Sequence, residues 1–280
     1  MKSLQNLLIL LLASAVSCQT IENNNKKDYI LVPDDLGILV EKFDSIKVDE
    51  NKYNTNNIVF KPGTSFKYAF EHLTAAGEQL YFKVNSDQKS WDFVAKDITD
   101  SSTIKSVVIR VMDGNPMAQY IPDYNQTVIA YILLENAPFS MSGVIENEAN
   151  VWVHPPRDHY FKILELNPFP YIKAPYTVGT EWAWNLKIGS KWGDQRWKTW
   201  DGNIDNTYHY KITNEVVIKT TFGALECLVI ESTATSEIGT TELVGYYHPK
   251  YGFVKLNYTN IDGSKTNLVL TEHTKNEIGG

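Results

Sequence analysis

The sequence predicts a mostly antiparallel, all-β fold, on three observations. Runs rich in Val, Ile, Tyr, Thr and Phe recur at strand length, apolar residues within them alternate, and turn residues punctuate them every 8 to 12 residues or so. The C-terminal part is expected to be a curved antiparallel meander, a half-barrel, and the N-terminal part a second β-rich region.

The chain begins with a basic Lys2, an apolar run Leu7 to Leu12, and the small-residue stretch Ala15-Val16-Ser17-Cys18. That order of charged start, apolar middle and small-residue end predicts a secretory signal peptide over 1–17. Its apolar stretch falls short of the roughly 20 residues a spanning helix needs, so it is expected to be removed. Ala15 to Cys18 resembles the lipobox of bacterial lipoproteins, with Ala15 where that family usually has Leu. The resemblance implies that the Cys18 thiol takes a diacylglycerol, that Cys18 becomes the mature N-terminus, and that acyl chains of the palmitate type anchor it to a membrane. Ordinary cleavage after Ser17, which would give a secreted protein, also satisfies the small-x-small rule. Lipoproteins retained at the inner membrane commonly carry Asp after the cysteine, and Gln19 here implies the outer membrane, on either its periplasmic or its surface side. Residues 18–28 contain Ile21 as the single apolar residue after the cysteine and predict a flexible tether.

The body divides near residue 140 into regions 29–140 and 141–275, with Asn136-Ala137-Pro138 as the boundary signal. In the first region strands are expected at 65–70, 79–84, 106–112 and 127–134. Tyr68 to Ala76 fits a strand or a short helix, because helix formers coincide with Phe66, Tyr68 and Phe70 at alternate places. Asn115-Pro116 and Ile121-Pro122-Asp123 are loop signals.

In the second region, strands are expected over 208–220, 224–234, 240–247 and 253–259, joined at Phe222-Gly223, Glu237-Ile238-Gly239 and His248 to Gly252. The last hairpin turns at Asp262-Gly263, which suits positive φ, between Val254/Leu256/Tyr258 and Leu268/Leu270 at period two. The segments Val178-Gly179-Thr180-Glu181-Trp182, Gly223 to Val229 and Tyr246 to Leu256 resemble a module of uncharacterised bacterial envelope lipoproteins of the Bacteroidota type. The resemblance spans about 176–273, with Leu225 where Phe is usual, and implies a curved sheet similar to LolA/LolB-type half-barrels. These motifs specify turns and packing, so the likeness implies no carrier function. Residues 276–280 are expected to be a flexible tail.

Without the leader, 263 residues remain and the formal charge moves from −7 to −8 with the loss of Lys2. That balance argues against nucleic acid or an anionic bilayer as a charge-held partner; the lipid is the expected attachment to the membrane. Cys18 and Cys227 are the two cysteines. Acylation of the first leaves Cys227, in the apolar run Leu225 to Ile230, as a small core residue; without acylation the two could pair across a long loop. No nucleophile elbow, zinc-protease helix motif, phosphate loop or dinucleotide fingerprint occurs, so the expectation is no enzyme and no cofactor. Glu146 and Glu148 would share a strand face, which more often marks a solvated side than a catalytic pair. Asp201, Asn203 and Asp205 begin like a calcium loop, but Asn206 and Ile212 break the pattern and favour a polar turn.

Six of seven Trp fall between 152 and 200. They either fill space beneath a curved sheet or form a stacking surface for a glycan or lipid. The polar residues around Trp192, Trp197 and Trp200 make these three the candidates for exposure. The stretch Trp152 to Phe161 places His154, Arg157 and His159 on a proline-stiffened loop. It can serve as a connector, or as a ligand site in which Arg157 supplies planar donors and the His a second contact. Zinc is disfavoured by the five-residue His spacing, so no metal is expected. The expected function is thus a membrane-anchored envelope lipoprotein with a non-catalytic ligand-binding or scaffold role. The alternative is a glycan-active hydrolase or carbohydrate-binding accessory module using the Trp-rich segment. Oligomeric state has no sequence signal.

Overall fold

A computed structural model of the chain describes residues 27–43, 49–98, 100–135 and 137–275. The expected signal peptide, Cys18, most of the expected tether, Asn136 and the expected 276–280 tail lie outside the described residues.

Strands β1 (Tyr29–Pro33) and β2 (Leu39–Phe43) form a hairpin of their own. The first half of the main sheet comprises β3 (Thr64–Leu73), β4 (Gln79–Val84), β5 (Trp91–Ala95), β6 (Thr103–Ile104), β7 (Ser106–Val111) and β8 (Thr127–Ile132). It continues with β9 (Ser140–Glu146), β10 (Asn150–Val153), β11 (Tyr171–Lys173) and β12 (Glu181–Gly189). The long meander follows as β13 (Asn203–Thr220), β14 (Gly223–Ser236), β15 (Gly239–His248), β16 (Gly252–Thr259) and β17 (Lys265–Lys275). Its main path is β11-β10-β9-β8-β7-β3-β17-β16-β15-β14-β13-β12, all antiparallel, with β4, β5 and β6 branching from β3.

The all-β expectation holds, and the curved sheet goes beyond a half-barrel: twelve strands form a nearly closed barrel. β3 meets β17, Tyr68 opposite Leu270, joining the first and last strands of the main sheet. The remaining edges, β11 and β12, approach through side chains, with the Tyr171 ring 5.6 Å from Trp182 and 5.5 Å from Tyr210. The ladder also crosses residue 140, because β8 on one side pairs with β9 on the other.

Alternation explains the wall. On β13, Ile204, Asn206, Tyr208, Tyr210 and Ile212 point inward and are buried, while Asp205, His209 and Lys211 point outward. Outward residues pair as exposed ions, Lys187 with Asp205 and Lys211 with Glu181, so this wall faces water. Each fully buried large apolar side chain contributes roughly 1.5 to 3 kcal/mol. Register irregularities at Ile212/Asn214, Tyr246/Tyr247 and Leu270/Glu272 mark β-bulges, which bend strands and help the sheet curve shut. Gly252 takes φ +69° to end the β15–β16 turn, a conformation that suits glycine. Cys227 is buried as expected, and burial pushes its thiol up to about 11, leaving it inert at neutral pH.

The Tyr68 to Ala76 ambiguity resolves as strand through Leu73, because β7 and β17 take the two backbone edges of β3. Glu146 is not on a solvated side. It ends β9 in a buried position, where its carboxylate accepts the backbone N–H groups of Ile58, Val59 and Phe60 at 2.8 to 2.9 Å.

Candidate functional site

The chain between β10 and β11 does not run over the surface. Pro155 and Pro156 hold it extended and buried, His159 turns it at φ +54°, and a 3₁₀ segment, His159–Leu166, leads into the barrel. Tyr160, Phe161, Ile163, Leu164 and Phe169 are each at most 1 % exposed. The barrel wall binds this segment through its backbone: the Leu166 carbonyl accepts from Thr241 Oγ1 at 2.8 Å and Asn206 Nδ2 at 3.2 Å. Asn167 Nδ2 donates to the Thr259 carbonyl at 3.0 Å, and the Tyr210 hydroxyl to that of Phe169 at 3.1 Å. Polar inward residues at Asn206 and Thr241 are thereby satisfied, as burial requires.

This internal segment assembles part of the expected site. Glu165, 3 % exposed, brings Oε1 to 3.5 Å from His154 Nε2 and 3.6 Å from Arg157 Nε. These separations are too long for good hydrogen bonds. Glu165 Oε1 and Arg157 Nε accordingly stand without hydrogen-bond partners, in ion-pair range of each other. Burial drives the Glu165 carboxyl up to about 7, only partly offset by Arg157 and Lys191. Burial, aided by Arg157, drives His154 down to about 3. Its Nδ1 lies 2.8 Å from the Pro155 carbonyl, so in neutral imidazole Nδ1 donates there and Nε2 faces Glu165 as an acceptor. Near neutrality the proton of this pair therefore belongs to the carboxyl rather than the ring. On the outer side, the Arg157 guanidinium lies 5.7 Å from the Trp192 ring centre, and Lys191 Nζ 5.2 Å from it.

Other predicted residues go elsewhere. His159 faces the Lys89 backbone and borders a different depression of about 200 Å³ with Leu133, Pro138 and Phe139. His154 and His159 thus share no site. Trp197 is buried: it stacks on Trp91 at 6.2 Å, and Arg196 lies 3.5 Å over the Trp91 ring while donating to the Trp91 carbonyl. The polar flank that suggested exposure instead covers the rings. Trp192 and Trp200 are half-buried, and Trp152, Trp182 and Trp184 belong to the core. Sequence reasoning missed Glu165, whose one signal was a carboxylate inside the apolar run Ile163 to Leu166.

No known family matches the chain, and no curated protein matches it. Solved structures similar to it at low identity include the following three. A candidate exported protein with a YmcC-like fold from Bacteroides fragilis is 11 % identical, over 78 % of this chain and 98 % of that one, with a TM-score of 0.37. A candidate lipoprotein from Parabacteroides distasonis is 10 % identical over 78 % and 97 %, with a TM-score of 0.41. The hypothetical lipoprotein YmcC from Escherichia coli K12 is 8 % identical over 80 % and 94 %, with a TM-score of 0.31. None of these similarities transfers a ligand or an activity to this chain. Among the described residues no group of His, Cys, Asp and Glu is arranged to hold a metal ion.

Proposed function

We propose that the protein is a lipid-anchored lipoprotein of the cell envelope, at the outer membrane, with a non-catalytic binding or scaffold role exerted outside its barrel. The observation that carries the reading is the filled interior. With residues 155–170 inside, the apolar void bounded by Tyr68, Tyr131, Pro156 and Tyr258 measures about 20 Å³, room for about one water and far short of an acyl chain. A lipid-carrying role would call for a deep dry cavity inside the barrel, so none is taken from the LolA/LolB resemblance. The anchor is read from Ala15 to Cys18. Cells grown with an alkyne fatty acid are expected to label the wild-type protein and not Cys18→Ser; label retained by the variant would overturn the anchor assignment. Stoichiometric lipid recovered from the purified Cys18→Ser protein would overturn the filled-barrel reading.

A second reading, a carbohydrate-binding module or glycan-active protein, is favoured by the part-exposed Trp192 ring beside Arg157. It predicts retardation in glycan-containing native gels that Trp192→Ala abolishes. Equal mobility of the two proteins with and without glycan would remove it.

A further inference from the structure

The β1–β2 hairpin, the loop before β3 and the ends of β9 and β15 enclose a cleft of about 330 Å³, a size suited to a small ligand. Tyr29, Tyr176 and Tyr247 line it together with Glu146 and Glu148, and Ile58, 73 % exposed, stands beside it. Its chemistry is acidic and aromatic. Glu146 is fixed by the three backbone N–H groups described above, and buried Glu41 feels the charge of Glu148 while burial pushes its carboxyl up to about 7.

Two further features point to a ligand. The first is Tyr247, 4 % exposed, which lines the cleft near enough to Glu146 to feel its charge. The Tyr176 ring, 6.0 Å from that of Tyr247, forms an adjoining wall. The second is Lys27, whose ammonium bonds Glu148 Oε1 while lying 5.5 Å from the Tyr29 ring centre; Tyr29 in turn donates to Glu148 Oε2 at 2.8 Å. A cation of this chain is already held at the cleft by a carboxylate and an aromatic face together, the combination used to recognise ammonium groups.

We propose that this cleft binds the primary ammonium group of an aliphatic amine, either a lysine side chain of a peptide or a free polyamine, with Glu148 and the tyrosine rings as its receptors and Lys27 as the internal competitor. Glu146 supplies fixed negative potential, and the Tyr247 hydroxyl accepts a hydrogen bond. The site lies apart from Glu165 and requires no acyl group on Cys18, so it stands or falls independently of the anchor.

The test is an NMR titration of the full-length processed protein carrying ¹³C-labelled tyrosine. N-acetyl-lysinamide and 1,4-diaminobutane serve as probes, and N-acetyl-norleucinamide as the probe lacking the ammonium. Saturable shifts of the Tyr176 and Tyr247 ring signals are expected with at least one amine, and at least tenfold weaker binding with the norleucine probe. Which amine binds more tightly distinguishes the peptide from the polyamine source. Lys27→Met is expected to tighten amine binding severalfold and Glu148→Gln to weaken it at least fivefold, in variants whose other tyrosine signals are unchanged. Equal binding of the lysine and norleucine probes, or no amine binding to Lys27→Met, overturns the proposal.

Discussion

Tyr160→Ala is expected to lower the unfolding free energy by about 4 to 5 kcal/mol, read as a fall in the urea midpoint at pH 7. The ring is 1 % exposed and meets Phe70, Phe82, Trp91, Phe93 and Phe161 at centroid distances of 5.6 to 5.9 Å. Truncation of a large aromatic in such a core costs about 3 to 5 kcal/mol from lost transfer energy and the cavity left behind. Its hydroxyl adds to that: it lies 2.7 Å from Thr266 Oγ1, 2.8 Å from His72 Nδ1 and 3.1 Å from Asn260 Nδ2. Losing it weakens the bonding of three buried side chains contributed by β3, the β16–β17 turn and β17. Tyr160→Phe isolates this polar part, expected at about 1 to 3 kcal/mol. A loss below about 1 kcal/mol for the Ala variant would show that the 155–170 segment does not hold the barrel together.

The second large effect depends on pH. Glu165 ionises near 4.5 when unfolded and at about 7 in the fold. Between those values the unfolded chain gives up a proton that the folded chain keeps, so stability falls as pH rises through that window. His154 runs the other way: neutral in the fold down to about 3 and protonated in the unfolded chain below 6.5, it withdraws stability as pH falls. From pH 4.5 to 6.5 the two slopes oppose each other. Glu165→Gln keeps the shape of the protonated carboxyl and removes one slope. At about 1.4 kcal/mol per tenfold change in ionisation, the variant should gain about 3 kcal/mol on wild type between pH 4.5 and pH 8. It should also lose stability more steeply than wild type as pH drops below 6.5, because the His154 slope is then unopposed. Urea unfolding of both proteins at pH 5 and 8 decides this. A stability difference that does not change with pH would mean that Glu165 is ionised in the fold throughout, with its charge fully met by Arg157.

The meander was the most legible part of the chain. Expected strands at 208–220, 224–234, 240–247 and 253–259 fall within β13 to β16, and Asp262-Gly263 sits in the last turn, with Gly263 at φ +79°. Such strands announce themselves because one face meets water, which leaves polar residues at every second place. β10 has every residue buried and so lacks that alternation, as do the short β5 and β11; β8, nearly as buried, was nonetheless expected at 127–134. Of the candidate site, His154 and Arg157 were placed on the right loop, but the loop was expected to be a connector or a ligand site, not part of the barrel's filling. Its prolines and apolar residues suit a connector as well as an internal plug. Trp197 misled for a related reason: Arg196 beside it reads as solvent-seeking, whereas its guanidinium lies flat on Trp91, distant in sequence.

Local sequence alone determined that this chain is a β protein and where its meander turns, since period-two alternation and positive-φ turn residues are properties of neighbouring residues. The tertiary structure alone decided that β3 closes onto β17, that residues 155–170 fill the enclosure, and that Glu165, His154 and Arg157 meet. Those outcomes depend on contacts across long stretches of chain, such as Lys67 with Glu272, 205 positions apart. Which partner wins there is settled by the volume to be filled and the polar groups to be satisfied, and neither leaves a periodic trace along the sequence.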